Sequence, residues 1–69
     1  MGPFSERLKQ LRAEKGKKQT EMAAFIGKGS RHYQKMEYGE VNVPALTLIK
    51  LADFFEVSLD YLVGRTDQR

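Results

Sequence analysis

The chain contains no cysteine, which excludes disulfide staples and any zinc site built on thiolates. Its single histidine, His32, has no other ligand type at metal-binding spacing, so no metal is expected. No apolar run approaches the roughly 20 residues that span a bilayer. The opening Met1-Gly2-Pro3-Phe4-Ser5-Glu6 lacks the basic and apolar regions of a secretory signal. These absences predict a cytoplasmic chain without a membrane partner, and a thiol-free sequence fits that reducing compartment. Alternating strand patterns, internal repeats and low-complexity stretches are missing too. Finally, there is no Ser-His-Asp set, no phosphate-cradling glycine loop and no metal-ligand spacing. Neither an enzyme, a cofactor nor a small-molecule ligand is expected.

What is present points to one folded domain over residues 1–69. A chain of 69 residues buries only about 60% of its unfolded surface, so its stability margin is narrow and dimerisation would help it. Hydrophobic residues at 41% against 30% charged fit a globular domain rather than a disordered one. Net charge is a modest +3, but it is unevenly spread. Residues 1–39 hold nine Lys or Arg against four Glu, while residues 40–69 hold three against five acidic groups. The basic half is the face expected to meet a polyanion, with a solvated basic surface as the alternative.

Apolar residues recur at helical spacing almost throughout. Phe4, Leu8 and Leu11 mark a first helix over 5–15, with Ser5 as its N-cap and Gly16 as its stop. Met22, Ala23 and Ile26 mark a second over 19–26, ended by Gly27. Ser30 caps a third over 30–38, whose inner side carries Tyr33 and Met36 and which ends at Gly39. Pro44 suits the first turn of a fourth, over 45–55, lined by Leu48, Ile49, Leu51, Ala52 and Phe55. Ser58 caps a fifth over 59–63, closed by Gly64. The tail 65–69 has no apolar residue and is expected to be flexible. The expectation is an all-α, five-helix domain.

The second and third helices carry the informative pattern. A helix-turn-helix needs a small residue where its helices cross, a residue tolerant of positive φ at the turn, and apolar anchors on the second helix. Ala23, Gly27, Tyr33 and Met36 fill these places at the correct offsets. The pattern Gln19-x-x-x-Ala23-x-x-x-Gly27, followed by Tyr33, Met36, Glu37 and Gly39, resembles the Cro/CI-type (Xre-like) repressors of phages and bacteria. Arg7-Leu8-Lys9-x-Leu11-Arg12-x-x-Lys15-Gly16 resembles that family's first helix, and Leu48 to Leu62 resembles its last two. The likeness covers residues 4–64.

The resemblance implies duplex DNA as the partner, read in the major groove by the third helix, and a homodimer on a near-palindromic operator. It places Ser30, Arg31, Gln34 and Lys35 at base edges, with Arg31 as the principal reader because arginine pairs bidentately with guanine. It assigns Gln19 to a phosphate, and Lys17, Lys18, Lys28, Gly29 and His32 to the DNA backbone. Arg12 and Glu37 match a salt bridge between the first and third helices. The chain also departs from the family pattern. Lys17 and Lys18 stand where an apolar residue and a Ser or Thr cap are usual, so the second helix is expected to lack a side-chain cap. Tyr38 stands where Asn often precedes the glycine.

Two questions stay open at this level. Phe54, Tyr61 and Val63 either form a dimer interface or complete the monomer core. The function is transcriptional regulation through DNA, most simply repression, or else the role of an antitoxin-like or regulatory module whose partner is a protein.

Overall fold

The computed structural model describes residues 2–69. Five helices follow one another: α1 (Gly2–Glu14), α2 (Gln19–Phe25), α3 (Ser30–Tyr38), α4 (Ala45–Phe55) and α5 (Leu59–Val63). Among the described residues there is no strand.

α1 begins earlier than its sequence pattern suggests. Pro3 is tolerated in a first turn, where its missing N–H has no helical partner, and Phe4 is drawn into the core. Ser5 is therefore inside the helix and is not its cap. Its buried hydroxyl donates instead to the Met36 carbonyl at 3.0 Å, tying α1 to α3. A further correction concerns Ser30, which is the first residue of α3, the cap position belonging to Gly29. Pro44 likewise occupies the cap position of α4 rather than its first turn. At α5, Ser58 accepts a hydrogen bond from the Tyr61 N–H at 3.0 Å, a side-chain cap.

The core takes one stripe from each helix. Phe4, Leu8 and Leu11 of α1 meet Met22 and Ala23 of α2, Tyr33 and Met36 of α3, Leu51, Ala52 and Phe55 of α4, and Leu62 of α5. α1 is the spine, packed on both α3 and α5, while α2 packs on α3. Two glycines matter to this arrangement. Gly27 sits at φ 73° in the α2–α3 turn, in open space, so only its backbone conformation calls for glycine. Gly64, at φ 89°, also lies under Pro3, whose Cβ would be 2.4 Å from any Cβ added there.

The tail is not the free segment its composition suggests. Arg7 donates from Nη1 to the carbonyls of Tyr61 and Thr66, the latter at 2.6 Å, and from Nη2 to Asp67 at 2.8 Å. Arg69 forms a two-pronged pair with Glu14, at 2.8 and 2.7 Å, and its carbonyl accepts from the Ser58 N–H. Both guanidiniums lie over the Tyr61 ring, at 4.1 Å for Arg7 and 5.4 Å for Arg69. Tyr61 is thus enclosed within its own chain, which rules it out as an exposed dimer contact. Phe54 and Val63 are half-buried, and Phe54 stacks with Phe25 at 4.8 Å and with Phe55 at 5.0 Å.

Candidate nucleic-acid interface

The two faces of α3 differ sharply. Tyr33, Met36 and Glu37 point into the domain and are buried. Arg31, His32 and Lys35 stand exposed on the outside, with Ser30 and Gln34 half-exposed beside them. Lys18 and Lys28 are exposed and Lys17 half-exposed, flanking the starts of α2 and α3. Gly29 is exposed with nothing within 4 Å of an added Cβ, so its lack of a side chain is not forced by packing. Sequence reading gave Tyr38 no site role, yet it is 65% exposed. Its signal was spacing: Arg31, Gln34, Lys35 and Tyr38 fall at i, i+3, i+4 and i+7, one stripe of a helix.

The inner side holds this stripe through a chain of polar contacts. The Glu37 carboxylate is nearly dry, its side chain 1% exposed. It accepts from Arg12 Nε at 2.6 Å and Nη2 at 3.2 Å, a two-pronged pair joining α1 to α3. Arg12 also donates to the Lys17 carbonyl at 3.0 Å, holding the loop that leads into α2. Burial pushes the Glu37 carboxyl up, but the hydrogen bonds from Arg12 and Gln19 and the arginine charge outweigh it and leave the group below the usual carboxylate range. The hydrogen bond to Glu37 likewise raises the Arg12 guanidinium above its ordinary value.

Gln19 faces inward. Its Nε2 donates to Glu37 Oε1 at 3.1 Å, and its Oε1 accepts from Gln34 Nε2 at 3.2 Å. The side chain expected at a phosphate is therefore largely engaged within the protein, with one amide N–H left over. At the start of α2, Lys18 provides no side-chain cap, since an ammonium can only donate. Glu21 compensates in part by accepting the Lys18 backbone N–H at 2.8 Å.

Tyr33 is the exception to this satisfied network. Its hydroxyl is buried without a hydrogen-bond partner among the described residues. Burial, with the Glu37 carboxylate nearby, pushes it far above the ordinary phenol range. Tyr33→Phe is accordingly expected to leave the fold intact and to change its stability by no more than about 1 kcal/mol, because the hydroxyl gains only its proximity to Glu37 in return for its burial. Thermal melts of the two proteins would check this, and a clear loss of stability in the variant would mean that the hydroxyl is paired in solution.

The helix-turn-helix family pattern matches residues 8–62, from the middle of α1 into α5. The chain belongs to this family, in its Cro/CI (Xre-like) branch. This helix-turn-helix chain is 41% identical over 63 residues to YonR of Bacillus subtilis, named an SPbeta prophage-derived uncharacterized HTH-type transcriptional regulator. It is 42% identical over 62 residues to RstR, the cryptic phage CTXphi transcriptional repressor of Vibrio cholerae. These matches cover 91% and 90% of the chain but 58% and 55% of the relatives, so the helix-turn-helix chain spans a little over half their length. In structure it is similar to a transcriptional regulator from Listeria innocua (TM-score 0.86, 32% identity), covering 96% of this chain and 62% of that one. The restriction-modification controller protein C.AhdI of Aeromonas hydrophila is also similar (TM-score 0.73, 30% identity), with 86% of each chain covered. All are regulatory proteins by name, and the two solved structures share the helical architecture described above. Among the described residues, no helix is long and apolar enough to cross a membrane.

Proposed function

We propose that the protein is a sequence-specific DNA-binding transcriptional regulator of the cytoplasm, acting as a repressor by occupying a site that polymerase needs. The observation that carries this is the outer stripe of α3, where Arg31, Lys35 and the half-exposed Gln34 project from a helix whose other side is locked by Tyr33, Met36 and Glu37. A rigid helix with donors on its free face fits a major groove about 12 Å wide. Ser30, Arg31, Gln34 and Lys35 are the base-contacting set in this reading. Lys17, Lys18, Lys28, Gly29 and His32, with the remaining N–H of Gln19, meet the backbone.

The operator is near-palindromic and the protein binds it as a homodimer. One domain, with its longest extent 29 Å, carries one such helix, whereas successive major-groove faces lie about 34 Å apart. Two copies related by a two-fold axis are needed to read both. Leu46, 81% exposed, and Ile49, 42% exposed, are the large apolar side chains left outside on α4, and they replace Tyr61 as the proposed seam. Leu46→Glu is expected to abolish dimers and to lower operator affinity by at least tenfold while the melting temperature changes little. Sedimentation at several concentrations would check it, and an unchanged dimer would remove α4 from the interface.

The function is tested by selecting bound sequences from a randomised duplex pool, with wild type and Arg31→Ala side by side. The expected result is a two-fold symmetric motif for the wild type, with one position per half-site relaxed in the variant by about 5- to 100-fold. Only weak, sequence-blind binding by the wild type would overturn DNA reading and favour a protein partner.

A further inference from the structure

Residues 66–69 and the cleft they lie in form a matched pair of surfaces. Arg7 and Glu14 stand two turns apart on α1, and the Tyr61 ring of α5 lies under the guanidiniums of Arg7 and Arg69. Ions and main-chain groups make the seat. Arg7 holds the Thr66 carbonyl and the Asp67 carboxylate, Glu14 holds the Arg69 guanidinium, and the Ser58 N–H holds the Arg69 carbonyl. The segment has no apolar side chain of its own, and the Asp67 side chain stays 98% exposed even when seated. It can therefore lift without opening the core. Its hinge is defined as well: the Arg65 N–H still closes α5 on the Asp60 carbonyl at 2.8 Å, so the helix end survives when the residues beyond it swing away.

We propose that the cleft between α1 and α5 is a docking site for residues 66–69 of a second copy, and that the chain's own tail fills it in a lone molecule. A lifted tail leaves Arg7, Glu14 and the Ser58 N–H without partners, and the identical segment of another copy satisfies them bond for bond. Four extended residues reach at most about 14 Å. The two clefts must then face each other across a two-fold axis and exchange tails reciprocally. A tail tethered beside its own cleft has an effective concentration on the order of millimolar. Dilute copies accordingly stay closed, and exchange belongs to copies held at that density. The cleft uses none of the α4 residues proposed for the dimer seam.

The exposed Glu14–Arg69 pair allows a charge exchange that leaves the core untouched. Arg69→Glu sets two carboxylates against each other within one chain, and Glu14→Arg sets two guanidiniums. Mixed together, each chain offers the other the charge that it lacks at home. Both substitutions are made in Leu46→Glu chains, so that the α4 seam does not contribute, and sedimentation is measured at about 1 mM protein. The equimolar mixture is expected to hold about tenfold more dimer than either variant alone, because two exposed pairs are restored at once. Salt at about 1 M, with a Debye length of about 3 Å, should remove that excess. One chain carrying both Arg69→Glu and Glu14→Arg regains the pair internally and is expected to stay monomeric. In nitrogen-15 spectra the Ser58 amide signal should move away from its wild-type position in each variant alone and return toward it in the mixture. A mixture that sediments as the average of its parts would overturn the proposal. So would a Ser58 signal that does not return on mixing, or an excess of dimer that survives high salt.

Discussion

Glu37→Ala is expected to lower the stability of the folded protein by about 3 kcal/mol, a large share of its total. Removing one member of a buried, hydrogen-bonded ion pair costs about 3–5 kcal/mol, since the other charge loses its partner without regaining full hydration. Arg12 keeps 20% of its side chain exposed, which places the expected loss near the lower end, about 3 kcal/mol. A domain of this length has only about 3–10 kcal/mol in total. Gln19 loses an acceptor in the same change, and the loop carbonyl of Lys17 loses the register of its donor. Replacing both partners together, Arg12→Met with Glu37→Leu, should recover most of the stability, because no buried charge then remains. Urea titrations of the wild type and the two variants would decide it, and a double variant as unstable as Glu37→Ala would mean that the pair has no apolar substitute. A pH dependence accompanies the pair. Because Glu37 titrates lower in the folded state than in the unfolded chain, its contribution is present above the unfolded carboxyl value and is lost as pH falls through the folded one.

Operator affinity is expected to fall by about a thousandfold when salt rises from 50 to 200 mM. Lys17, Lys18 and Lys28 contribute three phosphate contacts per copy in the proposed complex, six in a dimer, and each neutralised phosphate releases about 0.9 of a counterion. The logarithmic salt slope is then about −5. Lys28→Ala should flatten that slope by about two, one contact per copy, and weaken all duplexes alike. Fluorescence anisotropy on operator and scrambled duplexes across a salt series measures both. A slope near −1 would show that these lysines are solvated and do not touch DNA, and a changed base preference in Lys28→Ala would move it into the base-reading set.

Much of the site was legible because the helix-turn-helix imposes local requirements. Ala23 and Gly27 sit four residues apart in one helix and its turn, Tyr33 and Met36 repeat at helical spacing, and the exposed face of α3 follows once they point inward. Arg12 and Glu37 were legible only through resemblance, since they lie 25 residues apart and no local pattern joins them. The inward turn of Gln19 was not legible. It depends on where the Glu37 carboxylate ends up, which is set by packing of α1 on α3. Burial of Tyr61 was hidden for the same reason: an aromatic on a five-residue helix looks surplus until Arg7 and Arg69 are known to cover it. The tail misled because its anchors are main-chain carbonyls and arginines, which apolar periodicity does not register.

That arginine clasp has a kinetic consequence. The α2–α3 contact closes a short loop, whereas Arg7 meets Asp67 across 60 residues and Glu14 meets Arg69 across 55. Long closures lose more chain entropy and form late, after the nearby helices have assembled. The clasp therefore lies on the native side of the folding barrier, where it slows unfolding and leaves the folding rate nearly untouched. A domain with so small a core thus gains lifetime from contacts between α1 and residues 65–69, while the α2–α3 pair assembles without them.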